Sequence, residues 1–207
     1  MARPQIVSIA PAAVDADGIC LSQTRASAGA LTLDGVLAGT TLDFSRKIDF
    51  ISGANIVARV FTIVGTDANG RAITETVTGI NNNTVQTTKY YSTVSSISVD
   101  ASFSANTITV GTSDDIATKI YPLNHYDNVA AQVTVELVSG SATWSVQETY
   151  SALDSSADEV WIVPTAHSGK TATLTAPLDL HANACRLVTS TFSTPVISFN
   201  IYQSGSE

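Results

Sequence analysis

Val60-Phe61-Thr62-Ile63-Val64-Gly65-Thr66, then Asp67-Ala68-Asn69-Gly70, then Arg71-Ala72-Ile73-Thr74-Glu75-Thr76-Val77 is the stretch that decides the fold class. Two runs rich in Thr, Val and Ile flank a short turn whose Asn-Gly can supply positive φ angles at little steric cost. This is a β-hairpin signature, and the same grammar recurs almost to the C-terminus. Nowhere do apolar residues hold a helical spacing for three turns. The chain is therefore expected to be all-β, as two β-sandwich or jelly-roll-like domains with an extended N-terminal arm.

The hairpin sits inside a first β domain read over residues 25–113. Its other strands are expected at 30–33, 41–44, 47–51, 94–99 and 107–111, with Ser52-Gly53 ending one of them and Asn81-Asn82-Asn83 forming a turn. Ahead of it, residues 1–24 read as the arm, because Pro4 and Pro11 interrupt regular pairing and residues 12–18 are small and turn-prone. Residues 114–127 read as a linker, in which Ser113 could cap one helical turn over 114–119. A second β domain follows over 128–207. Ala131, Val133, Val135 and Leu137 share one face of a strand. Ser139-Gly140-Ser141 is expected to turn the chain into a return strand carrying Trp144, Val146, Glu148 and Tyr150 on one side. The pattern returns over 186–189 and 196–203 around a turn at 190–194. Either a weak repeat of hairpins or the shared vocabulary of β sequences accounts for it.

Composition narrows the function. Hydrophobic residues make up 44% of the 207, enough for a core, while only 14% are charged. A surface covered by Thr, Ser and Asn repels neighbours poorly and suits a subunit that works assembled. The net charge of −8 disfavours nucleic acid, whose non-specific affinity comes from phosphate neutralisation. No apolar run reaches the length of a secretory signal or a membrane span, so synthesis in the cytoplasm without an export address is expected. The two cysteines, Cys20 and Cys185, have no CxxC spacing. Either they pair or they are small buried apolar residues.

Chemical motifs are sparse. His125, His167 and His181 show no zinc spacing, and each reads as a loop residue. Asp154, Asp158 and Glu159 lie in an acidic loop that lacks the ordered pattern of a calcium site. Gly169-Lys170-Thr171 has the tail of a phosphate loop without its earlier glycine, and reads as a turn. No Gly-x-Ser-x-Gly elbow occurs. Trp144, Trp161, Tyr90, Tyr91, Tyr126 and Tyr150 could form a sugar-binding platform, or simply a core face. The expectation is a protein without enzyme activity, cofactor, metal or catalytic residue.

GTDANGRAITETVTG at 65–79, TVQTTKYYSTVSSI at 84–97, TVGT at 109–112 and SGSATWSVQET at 139–149 together resemble a family of β-rich structural proteins of tailed bacteriophages. A tryptophan after an acidic loop and a final strand pair opening with Arg186-Leu187-Val188-Thr189 extend the likeness. The arm and the short loop at 153–159 depart from the family's pattern. The resemblance implies a non-enzymatic virion protein, foremost a capsid decoration or cement protein that stabilises the head by bridging capsid subunits. A neck or tail ring or a fibre base is the alternative, and a host-surface carbohydrate-binding module a further one. The partners would be the major capsid protein and copies of the chain itself, or neck and tail proteins, with no direct nucleic acid and no membrane. Ile6, Val7 and Ile9 are the candidate partner-binding residues of the arm.

Overall fold

The computed structural model describes residues 4–123, 131–154 and 157–203. The chain is all-β and divides into two compact units, residues 14–116 and residues 1–13 with 117–207.

The unit of residues 14–116 has two sheets. One contains β3 (Gly29–Ala30), β8 (Thr93–Val99), β5 (Val60–Thr66) and β6 (Ala72–Thr78), in that order. The other contains β2 (Cys20–Gln23), β9 (Ile108–Ala117), β4 (Ser45–Asn55) and β7 (Asn81–Gln86). The expected hairpin is present, with β5 and β6 in register from Val60↔Thr78 to Thr66↔Ala72. Asp67 closes it: its Oδ1 accepts the N–H groups of Asn69 and Arg71, at 2.8 and 2.9 Å. Within the turn Gly70 alone takes a positive φ, +78°. Alternation along β5 places Phe61 and Ile63 inward. From the facing sheet Phe50 meets Phe61 with ring centroids 5.4 Å apart, and Phe103 closes the cluster edge-on at 5.9 Å. Burial of such rings is the main favourable contribution to a sandwich core.

Polar side chains fix the remaining backbone. Arg46, 2% exposed, donates Nε and Nη2 to Asp43 and Nη1 to the carbonyl of Ser113. Asp49 on β4 carries a carboxyl raised above its usual range, first by burial and then, against a lowering hydrogen bond from Gln86, by the charges of Asp114 and Asp115. A carboxyl raised in the folded state adds stability that is complete below its unfolded value of about 3.9 and disappears as pH rises through the folded value. Asp49→Asn should therefore raise the melting temperature at pH 7, and that gain should vanish below about pH 4 in a thermal-melt series.

Two local expectations for this unit need correction. Asn81-Asn82-Asn83 is not a turn: the chain runs on without reversing through Gly79-Ile80, where the Gly79 N–H donates to Arg59 and the Ile80 carbonyl accepts from Ile56, and the asparagines open β7, which pairs with β4 through Asn55↔Asn81. Asn82 keeps a positive φ of 45° inside the strand, so its tolerance of that region is used as an irregularity. Residues 114–117 are strand, not a helical turn. Ser113 Oγ does accept the Asp115 N–H at 3.1 Å, as a cap would, but the buried Ile116 and Ala117 continue β9. Sheet pairing satisfies that backbone better than one isolated helical turn could.

The other unit is built on two long strands, β11 (Ala131–Thr149) and β14 (Ala184–Gln203), antiparallel from Ala131↔Gln203 to Thr149↔Ala184. Each reads in sequence as two strands and a turn. Instead both bend at the same level. Register shifts fall between Leu137 and Trp144, with Gly140 at φ +72° and Thr194 at +40° across from one another. A Cβ at Gly140 would sit 2.3 Å from the Thr194 carbonyl oxygen, so only glycine fits the bend. The turn residues are used as bulges, which curve a strand without reversing it. They also flip its parity: Val133 and Val135 are buried before the bend, Ala142, Trp144 and Val146 after it. The two halves thereby face one another, and Tyr121 of β10 (Tyr121–Pro122) meets Phe199 edge-on at 5.8 Å. β12 (Trp161–Ile162) and β13 (Leu174–Pro177) flank opposite ends of β11. The recurring pattern along 131–203 thus belongs to two partners of one pair.

The N-terminal segment is also different. Pro4 and Pro11 lie outside a regular strand rather than preventing one: β1 (Gln5–Ile9) pairs antiparallel with β14, from Gln5↔Ile201 to Ile9↔Ile197. The expected linker, 114–127, is strand through 117 and again at 121–122; residues 124–127 lie outside the described residues. No helix among the described residues is long and apolar enough to cross a membrane.

Candidate functional site

Glu148 ends the inward row of β11. Trp144 and Val146 before it are fully buried, and the Glu148 carboxylate is 1% exposed, flanked in register by Ile162 and Cys185. A carboxylate in that position costs several kcal/mol unless it is paired and hydrogen-bonded, about the penalty of taking one ion out of water. One partner is the backbone N–H of Asp179, which donates to Oε2 at 3.2 Å. The other is His167, the last residue of a 3₁₀ turn (Thr165–His167) that follows Pro164. Its Nδ1 lies 3.2 Å from Glu148 Oε1, with the histidine side chain 2% exposed. That approach lacks hydrogen-bond geometry, so Glu148 Oε1 and both ring nitrogens have no hydrogen-bond partner among the described residues.

This buried pair lines a cavity of about 470 Å³. Ile162, Val163, Pro164, Pro177 and Leu178 form its apolar walls, and Tyr150 and Asp179 its polar edge. β12 is fixed beside the site by Arg186, whose guanidinium lies 4.1 Å from the centre of the Trp161 ring while Nε donates to Gln147 at 2.7 Å. Asp179 accepts the His181 N–H at 2.8 Å, and this bond leads the causes that hold its carboxyl below the usual range. The Tyr150 phenol is pushed up, by desolvation first and then by its hydrogen bond to Asp179. Among the described residues no Ser, Thr or Cys lines the cavity. The Cys185 thiol beside Glu148 is pushed up by burial and by the Glu148 charge, which makes it a poor nucleophile. The arrangement can hold a ligand, and among the described residues its polar groups are the carboxyls of Glu148 and Asp179, the His167 imidazole and the Tyr150 phenol.

The residues singled out by their chemistry in the sequence fall in quite different places. His167 is a buried neighbour of a carboxylate nineteen positions earlier in the chain, a relation no spacing motif reports. His181 is exposed, and His125 and Tyr126 lie outside the described residues. In the acidic loop Asp154 and Asp158 are not buried, while Ser155 and Ser156 lie outside the described residues. Among the described residues no three His, Cys, Asp or Glu side chains converge on a metal position. Gly169-Lys170 is a turn held against Trp144 by two backbone hydrogen bonds. Trp144 is core, which removes it from any sugar platform, while Tyr150 on the same strand parity is 44% exposed. Cys20 and Cys185 are free and buried, and burial with the Asp34 charge pushes the Cys20 thiol up to about 12. Of the three arm residues, Ile9 is fully buried, Val7 half-buried and Ile6 69% exposed.

No known protein family and no curated protein matches the chain.

Proposed function

We propose that this protein is a non-enzymatic structural component of a tailed-phage virion, a decoration or cement protein that stabilises the head by bridging capsid subunits. The observation that carries the reading is strand β1. Among the described residues it pairs with β14 on one side only, and Ile6 stands exposed on it. Its sequence, Gln-Ile-Val-Ser-Ile, contains none of the charges that monomeric proteins place on such edges to block further pairing. An open edge with an apolar side chain is what strand addition from a neighbouring subunit requires. Repetition of weak contacts over a shell then supplies the holding force through avidity. The low charge of the chain and its likeness in sequence to β-rich virion proteins point the same way.

Copy number in purified particles, measured against the major capsid protein by quantitative mass spectrometry, tests the placement. Near parity, or a simple large fraction of it, fits a head decoration protein. A few per cent would move the protein to the neck or tail and end the cement reading.

The edge makes a sharper prediction than removal of the arm. Deleting residues 2–12 takes Ile9 from the core and unsettles the unit as well as any contact. Ile6→Lys leaves the core intact, and its stability should stay within about 0.5 kcal/mol of the parent in urea denaturation. Its retention on particles after a salt wash should nevertheless fall at least severalfold. Retention equal to the parent's would remove the β1 edge from the interface.

A further inference from the structure

We infer that the apolar mouth of the cavity beside β12 is the docking surface for strand β1 of a second copy of this chain, with Ile6 as the side chain that enters it. The inference rests on the reading of β1 as an assembly edge and names what that edge meets. Apolar side chains gather at the mouth. Ile162 and Val163 of its walls are exposed, and so are Val160, two residues before, and Leu180, next to Asp179 at its edge. Exposed apolar groups clustered around a concavity mark a contact surface, whereas single ones scattered over a protein do not. On β1, alternation turns Val7 and Ile9 toward the core and Ile6 away from it. A cavity of about 470 Å³ has ample room for an isoleucine side chain.

Topology places these two surfaces on opposite edges of one unit. β1 lies beyond β14, while β12 and β13 lie beyond β11. The cavity takes Ile162 from β12 and Pro177 from β13, so it opens on the β11 side. Pairing with β14 from Gln5 to Ile9 keeps the chain's own β1 away from its own cavity. A contact between two unlike surfaces of one molecule is heterologous and continues from copy to copy, which suits a subunit that covers a shell. Charge selects the same pairing. Asp158 ahead of β12 and Asp179 at the cavity edge make the mouth acidic, and among the described residues no Lys or Arg lines it. Two mouths face to face would oppose carboxylates. β1 carries no charge, and Arg3 precedes it in sequence.

The test is sedimentation equilibrium of the full chain, as the parent, as Ile6→Lys, as Ile162→Lys, and as an equimolar mixture of the two variants. Both positions are exposed, so each variant keeps its fold. The parent should associate beyond a dimer as its concentration rises to about 1 mM, the weak end of contacts that repetition can use. Each variant alone should lose this association, with Kd raised at least about tenfold. The mixture should form a dimer and stop there, because the intact mouth of Ile6→Lys can take only the intact β1 of Ile162→Lys. A monomeric parent, a variant that still dimerises by itself, or a mixture that stays monomeric would overturn the inference. Particle retention separates it from the assembly reading. Retention lost in Ile6→Lys but kept in Ile162→Lys would place β1 on a capsid protein and overturn the contact between copies. Association as expected, with retention unchanged in both variants, would uphold that contact and end the role of β1 in the particle.

Discussion

Replacing Trp144 with alanine will destabilise the unit formed by residues 1–13 and 117–207 by about 3–5 kcal/mol, the range for deleting a buried aromatic side chain. Trp144 heads the largest fully buried side chains and lies on the inward row that β11 presents after its bend, with a further register shift directly before it. Its backbone also exchanges two hydrogen bonds with Lys170, at 2.8 and 2.7 Å, so the ring is held where a cavity cannot readily collapse. Trp144→Phe should behave differently. The indole Nε1 is buried with no hydrogen-bond partner among the described residues, so phenylalanine removes an unsatisfied donor along with part of the ring. Its cost should remain below about 1.5 kcal/mol, as for other hydrophobic swaps of similar shape. Urea denaturation followed by near-ultraviolet circular dichroism resolves the two. Equal losses for Ala and Phe would show that the ring is not packed as described.

The second large effect is expected at Gly65, in the stretch whose pattern first identifies the fold. A Cβ there would lie 1.9 Å from the carbonyl oxygen of Thr93 and 2.9 Å from the Tyr91 ring. The first of these is backbone of the neighbouring strand β8, at the register shift between Val64 and Gly65, and cannot swing aside. Gly65→Ala must push β5 away from β8 beside Ile63, a fully buried core residue, and should cost about 3 kcal/mol, the upper part of the overpacking range. Gly53→Ala is the control. It lies in β4 with nothing within 4 Å of the added Cβ and no positive φ. It should be neutral or stabilising by about 0.5 kcal/mol, because alanine restricts the unfolded chain. A Gly65→Ala variant as stable as Gly53→Ala would contradict the strand contact at β8.

Local chemistry made a good part of this protein legible. Period-2 alternation marks β5, β6 and the two halves of β11, because a half-buried strand imposes that period on its own sequence. The turn at 67–71 is written in its residues: Asp67 binds the backbone two and four positions on, and Gly70 takes the left-handed conformation. The absence of helical spacing fixed the class. Turn residues were less decisive, since Gly140 and Asn82 supply the same backbone conformations to a bulge as to a reversal. Which of the two forms depends on whether a partner strand is present to be followed.

The candidate site could not be read in this way. Glu148 faces inward only because the bulges at 137–144 invert the parity of β11, and His167 reaches it through a 3₁₀ turn that no periodicity announces. The place of β1 depends on pairing residue 5 with residue 201, a contact between the ends of the chain. Sequence by itself determined the β class, the central hairpin and the acidic, charge-poor surface, because these follow from each residue's own conformational and solvation preferences. Tertiary structure alone decided the long bent strand pair, the strand made from the arm, and the buried carboxylate–imidazole cavity. Each of these depends on which distant backbone completes a hydrogen bond and which distant side chain fills the space, and neighbouring residues carry no record of that.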